Sequence, residues 1–466
     1  MENKKSRREF LKKSSFVIAG VAVGQKGFPI FDRDKKIIGS NDRVRVGFIG
    51  VGNRGTQLLH GFMSQSDCEV AALCDVYKPY ITRDYSQVEP RYIKEIGRIP
   101  LMGEKFTKDV KQFADYRKLL EDKSVDAVCI ATPDHWHALQ TIDAIKSGKD
   151  VYVEKPLSKT IAEGRKMVEI GKKSKQVISV GLNRRSAPIF QKLAKEIPGG
   201  KIGKVTFAQT CHVSNMFPNG IGKYKVESPP KDFDWDMWLG PRAYRPYQYN
   251  IAPYMFRWWE DYANQISNNG IHYLDLLRWL LDEEAPIAVS AHGGKFVIDD
   301  DRTIPDTMHV TYEFGSGTLV TISILEASSG SLIPSGFLEL RGTKGTLYTD
   351  ENDFSIVPAN PGQFQTWKEL LQAKEYSLAK DSPELWKNYK DSTSSHIRNF
   401  LDCVKSREQP AATLETGHRS TTLAHLGTIA LQTRKHLEWD GLKERFTNCN
   451  EANNYLSYEY REPWKI

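Results

Sequence analysis

Val44-Arg45-Val46-Gly47-Phe48-Ile49-Gly50-Val51-Gly52-Asn53-Arg54-Gly55 joins a short apolar run to a glycine-patterned turn, and a helix-like segment over 56–63 follows. The glycines at 50, 52 and 55 fit G-x-G-x-x-G, the pattern by which a strand passes to a helix beneath a pyrophosphate. Gly50 permits the tight turn, Gly52 lets the backbone approach the phosphates, and Gly55 lets helix and strand pack closely. The helix start at Asn53 and Arg54 offers free N–H groups and a partial positive charge to an anion. Twenty residues past the last glycine, a strand-like run over 69–74 ends in Asp75. A carboxylate there takes ribose hydroxyls and repels a 2′-phosphate, so NAD is expected rather than NADP, although Lys78 weakens that preference.

Working outward, the 466 residues are enough for two domains, and a 40% apolar share with 11% aromatics supports packed cores. The formal charge is +7, of which the first 26 residues contribute +5; the near-balanced remainder points to no nucleic-acid partner. No stretch is long enough to span a membrane as a mature helix. Cys68, Cys74, Cys129, Cys211, Cys403 and Cys449 form no C-x-x-C pair and no metal-ligand spacing, so no disulfide scaffold and no metal are expected. The N-terminus reads as an address. Ser6-Arg7-Arg8-Glu9-Phe10-Leu11-Lys12 is similar to the twin-arginine export motif, and a modest apolar run follows over 16–23. No cysteine after that run could carry a lipid, so a periplasmic protein without a membrane anchor is expected.

After Asp75 comes a polar insertion over 77–109. A helix over 116–120, a strand over 125–130, a helix ending at Ser147-Gly148, a strand over 151–153, a helix over 162–173 and a strand over 177–180 then alternate. Such alternation predicts a parallel sheet covered on both faces, with functional groups at the carboxyl ends of its strands. Ala131-Thr132-Pro133-Asp134-His135-Trp136-His137 and Glu154-Lys155-Pro156 fall at such ends. Beyond Gly181-Leu182-Asn183-Arg184-Arg185 the texture changes: a helix over 189–196, a strand over 205–211, an aromatic stretch over 233–262 and a helix over 274–281. Alternating segments at 308–314, 318–325, 336–341 and 345–348, separated by glycine turns, predict an antiparallel sheet. Residues 358–391 read as irregular, and helices over 396–405 and 415–436 finish the fold. The expected class is α/β. A signal and linker cover 1–40, a Rossmann dinucleotide-binding domain 41–181, and an α/β domain with a large, mostly antiparallel open sheet 182–466.

The glycine turn, Ala131-Thr132-Pro133 with His137, Glu154-Lys155-Pro156, and the G-x-H-x-x-D of Gly270, His272 and Asp275 together resemble the Gfo/Idh/MocA oxidoreductase family. The resemblance covers nearly everything after the export segment. It implies a dinucleotide domain followed by an α/β domain whose open sheet serves substrate binding and homo-oligomer contacts. It also implies oxidation or reduction of a hydroxyl on a sugar, inositol or related polyol with NAD(P). To the cofactor residues Gly50, Gly52, Asn53, Arg54, Gly55 and Asp75 it adds Thr132, Pro133, His137, Glu154 and Lys155. In the family, the lysine matching Lys155 binds the reacting hydroxyl and the histidine matching His272 is the usual acid/base. The chemistry agrees: losing the hydroxyl proton as hydride departs needs a titratable group within hydrogen-bond reach. A lysine partly desolvated beside the nicotinamide falls toward neutrality.

One departure matters. Many of the family's dehydrogenases carry an aspartate four residues before the histidine, where this chain has Asn268. An amide neither takes up a proton nor lends a charge. Either His272 works without it, Asp275 or another acid supplies the charge, or the chemistry differs from plain dehydrogenation. Arg184, Arg185, Trp259, Asn268 and Asp275 are the substrate candidates, with surface salt bridges the alternative for the two arginines. Trp235, Trp238, Tyr244, Tyr247, Tyr249, Tyr254, Trp258 and Trp259 either wall a sugar, with Asp234, Asp236 and Arg257 on its hydroxyls, or pack as core or interface. His135 and His137 have no third ligand in view, and His418 and His425, two helical turns apart, read as packing.

The expected function is an exported oxidoreductase of a sugar, glycoside or polyol that retains its NAD and cycles it within one site. Paired oxidation and reduction of two sugars meets that condition. So does transient oxidation of a glycoside followed by elimination, as in NAD-dependent glycoside hydrolases of similar fold, which usually depart from Glu-Lys-Pro. The alternative of another class is a non-catalytic dinucleotide- or sugar-binding protein, against which Lys155 argues.

Overall fold

Val44–Ile49 forms β1, which pairs in parallel with β2 (Cys68–Cys74) on one side and β4 (Ala127–Ile130) on the other. The computed structural model describes residues 43–360, 362 and 371–466; the twin-arginine motif and the apolar run after it lie outside the described residues. With β3 (Lys111–Phe113), β5 (Asp150–Val153) and β6 (Ile178–Val180), the sheet has the order β3-β2-β1-β4-β5-β6, all parallel. Every residue of β4 and β5 is buried, as strands covered on both faces require. The covering helices include α1 (Asn53–Met63), α2 (Asp134–Lys146) and α3 (Ile161–Gly171), the last opened by a capping box between Thr160 and Glu163. The strand order reverses between β1 and β4, so the crevice for a ligand opens at their carboxyl ends.

The second sheet has ten strands. Its centre is β7 (Val205–Val213), β8 (Pro286–Gly294), β9 (Thr307–Phe314) and β10 (Leu319–Leu325). β11 (Leu338–Gly342), β12 (Gly345–Thr349), β13 (Asp353–Pro358) and β14 (Lys374–Ser377) extend one side; β15 (Leu437–Asp440) and β16 (Arg445–Phe446) extend the other. Only β7 and β10 pair in parallel. The apolar faces of α4 (Pro188–Glu196), α5 (Ile271–Leu280) and α7 (Leu414–Thr433) share one core with this sheet. No described helix is long and apolar enough to cross a membrane.

Three features differ from the sequence reading. The stretch read as irregular carries β14 and two short helices, Leu378–Asp381 and Pro383–Asn388. Helix α6 (Ser392–Ser406) lies late in the chain, yet Phe400 packs edge-on against Phe62 and Tyr152 of the parallel-sheet half. The aromatic stretch divides between its two readings: Trp235, Tyr247, Tyr249 and Trp259 are buried in packing, with Trp235 stacked on Trp238, while Trp238 and Tyr254 also line the ligand crevice. Tyr244 is exposed.

Candidate active site

The turn after β1 requires glycine at positions 50 and 55. Gly50 has φ +83°, and a Cβ there would lie 2.8 Å from the Thr132 nitrogen. A Cβ on Gly55 would stand 2.0 Å from the Gly50 carbonyl oxygen. Helix α1 starts behind Gly52 with no side chain capping it, so its first N–H groups are free for an anion. An uncapped N-terminus behind a backbone without side chains fits a dinucleotide pyrophosphate. Gly55→Ala is therefore expected to cost about 1–3 kcal/mol of stability by overpacking and, by displacing the turn, to lower the NAD content of the purified protein. Undiminished NAD content in a destabilised variant would remove the turn from the cofactor site.

Asp75 binds this turn directly. Its Oδ2 accepts from the Val51 N–H at 2.8 Å and its Oδ1 from the Tyr77 N–H at 3.0 Å. Burial lifts its carboxyl to about 6, against the pull of those backbone donors.

Gly50, Gly52, Asn53, Arg54, Asp75, Thr132, Pro133, Glu154, Lys155, Asn268 and His272 all line one cleft of about 310 Å³. Gly55 lies beneath the turn rather than on the lining. His137 is a correction: it is buried, its ring nitrogens 2.7 Å from the Pro156 carbonyl and 2.9 Å from that of Thr132, so it ties two strand-end loops together behind the cleft. His135 is buried on the Trp238 carbonyl, and His418 and His425 are buried on Glu444 and the Ser158 carbonyl.

The substrate candidates divide. Asn268 reaches the cleft, but Arg185 and Asp275 do not: they form a buried ion pair at 2.9 Å, and Asp275 also accepts from the Ser420 hydroxyl. Asp275 therefore lends His272 no charge. Trp259 is buried with its indole N–H on the Asn250 carbonyl, and Arg184 donates to Glu351 at 2.8 Å, the salt bridge that was its alternative.

At the reacting end, Arg54 pairs with buried Glu154 at 2.8 Å, and Glu154 also accepts from the Lys155 backbone N–H. Lys155 is followed by a cis peptide to Pro156. Its Nζ donates to the Asn268 carbonyl at 2.7 Å and to the Asn268 Oδ1 at 3.0 Å. The π-helical turn Ile266–Gly270 carries Asn268, and His272 stands on the first turn of α5 behind it. Burial holds the Lys155 ammonium down to about 8, opposed by the carboxylates of Glu154 and Asp134. Burial also pushes the His272 imidazolium well below its ordinary range, helped by the charges of Lys155, Arg184 and Arg54. Its Nδ1 is buried without a partner.

Residues 44–182 match an oxidoreductase family with an NAD-binding Rossmann fold, and residues 252–438 match the same family's C-terminal alpha/beta domain. The chain belongs to the Gfo/Idh/MocA oxidoreductase family. It is 23% identical to a myo-inositol 2-dehydrogenase of Thermotoga maritima over 401 residues, covering 85% of this chain and 98% of that one. It is 32% identical to a glycosyl hydrolase family 109 protein of Shewanella putrefaciens over 182 residues, 36% of this chain and 38% of that one. An aldose–aldose oxidoreductase from Caulobacter crescentus shares the fold, with TM-score 0.58 at 18% identity over 85% of this chain and 99% of that one.

Against the Gfo/Idh/MocA pattern, two polar cleft residues escaped the sequence reading as site residues, Asp134 and Asn183. Asp134, on the first turn of α2, is 7% exposed and its Oδ2 has no partner; burial raises its carboxyl. Its position just after Thr132-Pro133 at a strand end is a signal that was available. Asn183 lines the cleft with a partnerless Oδ1. Of the three polar residues expected on sugar hydroxyls in the aromatic stretch, Arg257 lines the cleft, whereas Asp234 and Asp236 do not.

Proposed function

We propose that this chain is an NAD-dependent oxidoreductase acting on a hydroxyl of a sugar, glycoside or polyol, its cofactor retained through many turnovers. The observation that carries the reading is the Lys155 ammonium, held by Asn268 in the same cleft as the glycine turn. NAD, when bound, supplies the hydride acceptor. The chain's part is to bind the hydroxyl and handle its proton. As an ammonium, Lys155 has a third N–H left for the substrate oxygen. As an amine, its two hydrogens satisfy the two Asn268 oxygens and leave the lone pair free. With its midpoint near 8, it takes the hydroxyl proton on oxidation and returns it on reduction. His272, kept neutral by burial, is a hydrogen-bond partner of that oxygen and not a proton store. No carboxylate at 268 is needed for this division of work.

A polyol dehydrogenase and an aldose–aldose oxidoreductase among the relatives support a sugar-like substrate. The twin-arginine motif supports export to the periplasm, and the open sheet supports assembly of copies. The partial likeness to family 109 hydrolases, together with the amide at 268, favours a second reading: transient oxidation of a glycoside, then elimination of the aglycone.

Denaturing the full chain as purified and weighing what it releases is expected to give NAD; release of neither NAD nor NADP overturns cofactor retention. Mixing the holoenzyme with sugars, polyols and glycosides is expected to raise the near-ultraviolet absorbance of reduced nicotinamide. Aglycone release without that gain would select the hydrolytic reading.

Asn268→Asp tests the proton assignment. Oxidation needs the amine, so its rate rises with pH through about 8 to a plateau. A carboxylate beside Nζ favours the ammonium by roughly 1–3 units and moves that rising limb to higher pH by as much. A limb that stays in place excludes Lys155 as the titrating group.

A further inference from the structure

Arg257 stands on the turn Met255–Trp258 and lines the same cleft as Lys155, Asn268 and His272. Its guanidinium is held in place before any ligand arrives. One terminal N–H donates to the Tyr254 carbonyl at 2.7 Å, and the group lies 4.1 and 4.6 Å from the ring centroids of Tyr254 and Phe256. The turn beneath it is anchored as well: the Trp258 indole donates to both oxygens of Glu326 at 3.0 Å, and Glu326 pairs with buried Arg302.

The guanidinium of Arg257 has no direct carboxylate partner among the described residues, whereas Arg54 in the same cleft is paired with Glu154. Asp134 also lines the cleft, its Oδ2 partnerless and unpaired with Arg257. Burial draws the Arg257 guanidinium below its usual range, opposed by Tyr254 and by the more distant carboxylates of Asp134 and Glu154. Such a group is costly until an anion meets it. A planar fork of five donors, only one of them engaged by the protein backbone, matches a carboxylate in two-pronged fashion.

We infer that Arg257 receives an anionic oxygen group and that the substrate is a sugar acid, its carboxylate on Arg257 and its reacting hydroxyl at Lys155. The placing of the hydroxyl rests on the oxidoreductase reading; the anion at Arg257 does not. The same oxyanion chemistry could come from the cofactor's phosphates. The sugar carboxylate is favoured because the uncapped start of α1 suits the pyrophosphate, while Arg257 shares the cleft with Lys155, Asn268 and His272 at the reacting end.

The test uses the full chain with its retained cofactor and matched probes: glucuronate against glucose, and galacturonate against galactose. Calorimetry on the unmodified protein is expected to show at least one acid bound about tenfold or more tightly than its neutral partner. Arg257→Gln is expected to weaken that acid about 100-fold and bring the acid-to-neutral ratio toward one, with Arg257→Lys recovering part. NAD content by mass spectrometry is expected to stay the same in both variants. If no acid is bound more tightly than its neutral partner, the inference fails, with no variant needed. If Arg257→Gln loses NAD instead of acid preference, the inference fails and Arg257 belongs to the phosphates. Acid preference without any nicotinamide absorbance change would keep the anion subsite and overturn the oxidoreductase reading.

Discussion

Lys155→Met is expected to lower kcat for hydroxyl oxidation by about 10²- to 10⁴-fold, the range of a positioned acid/base group, while the protein keeps its fold and its NAD. Methionine retains the length and apolar stem of lysine, so no large void opens beside the buried Pro156. Glu154 keeps its partner Arg54 at 2.8 Å, so no isolated carboxylate is left in the core. What disappears is the donor to the two Asn268 oxygens and the group that accepts the hydroxyl proton. His272 does not replace it, because burial leaves the imidazole too weakly basic to hold a proton near neutral pH. Single-turnover kinetics after loading with substrate separates this loss from a binding defect. Unchanged turnover, with NAD still present, would sink the proton assignment.

Asp275→Asn is expected to destabilise the fold by about 3–5 kcal/mol while leaving kcat and KM as they were at temperatures where the protein stays folded. The Arg185 Nε donates to both Asp275 oxygens at 3.1 and 2.9 Å, and its Nη2 adds a third bond at 2.9 Å. Both side chains are nearly inaccessible to solvent, and the guanidinium lies over the Trp279 ring. Removing the carboxylate charge strands a buried cation, which costs more than the pair itself contributes. A urea titration is expected to show a lower midpoint at an unchanged slope. A raised KM with normal stability would instead return Asp275 to the substrate.

These two residues show where reading the chain stopped short. Asp275 belongs to the G-x-H-x-x-D pattern that identifies the family, and Arg185 follows a strand end, so both looked like ligands of a substrate. Each is the other's partner across 90 residues of chain. Helix α6 repeats the lesson on a larger scale: its amphipathic pattern is plain in the sequence, but not which half of the molecule its apolar face covers. The edge strand β14 was missed because it is short and half exposed, with little apolar alternation to mark it.

The parallel core, the glycine turn, the acid at its side and the lysine at the end of β5 were determined by sequence alone. Each follows from backbone geometry or side-chain periodicity acting over a few tens of residues, where spacing along the chain and distance in space are closely linked. Only the tertiary structure decided which charges are paired and which face the cleft. Arg184 goes to Glu351 and Arg185 to Asp275, while Asp134 and Arg257 stand beside Lys155 without an ion-pair partner among the described residues. Ion pairing and desolvation depend on separation through space and on what surrounds each group, and neither is encoded in a local pattern.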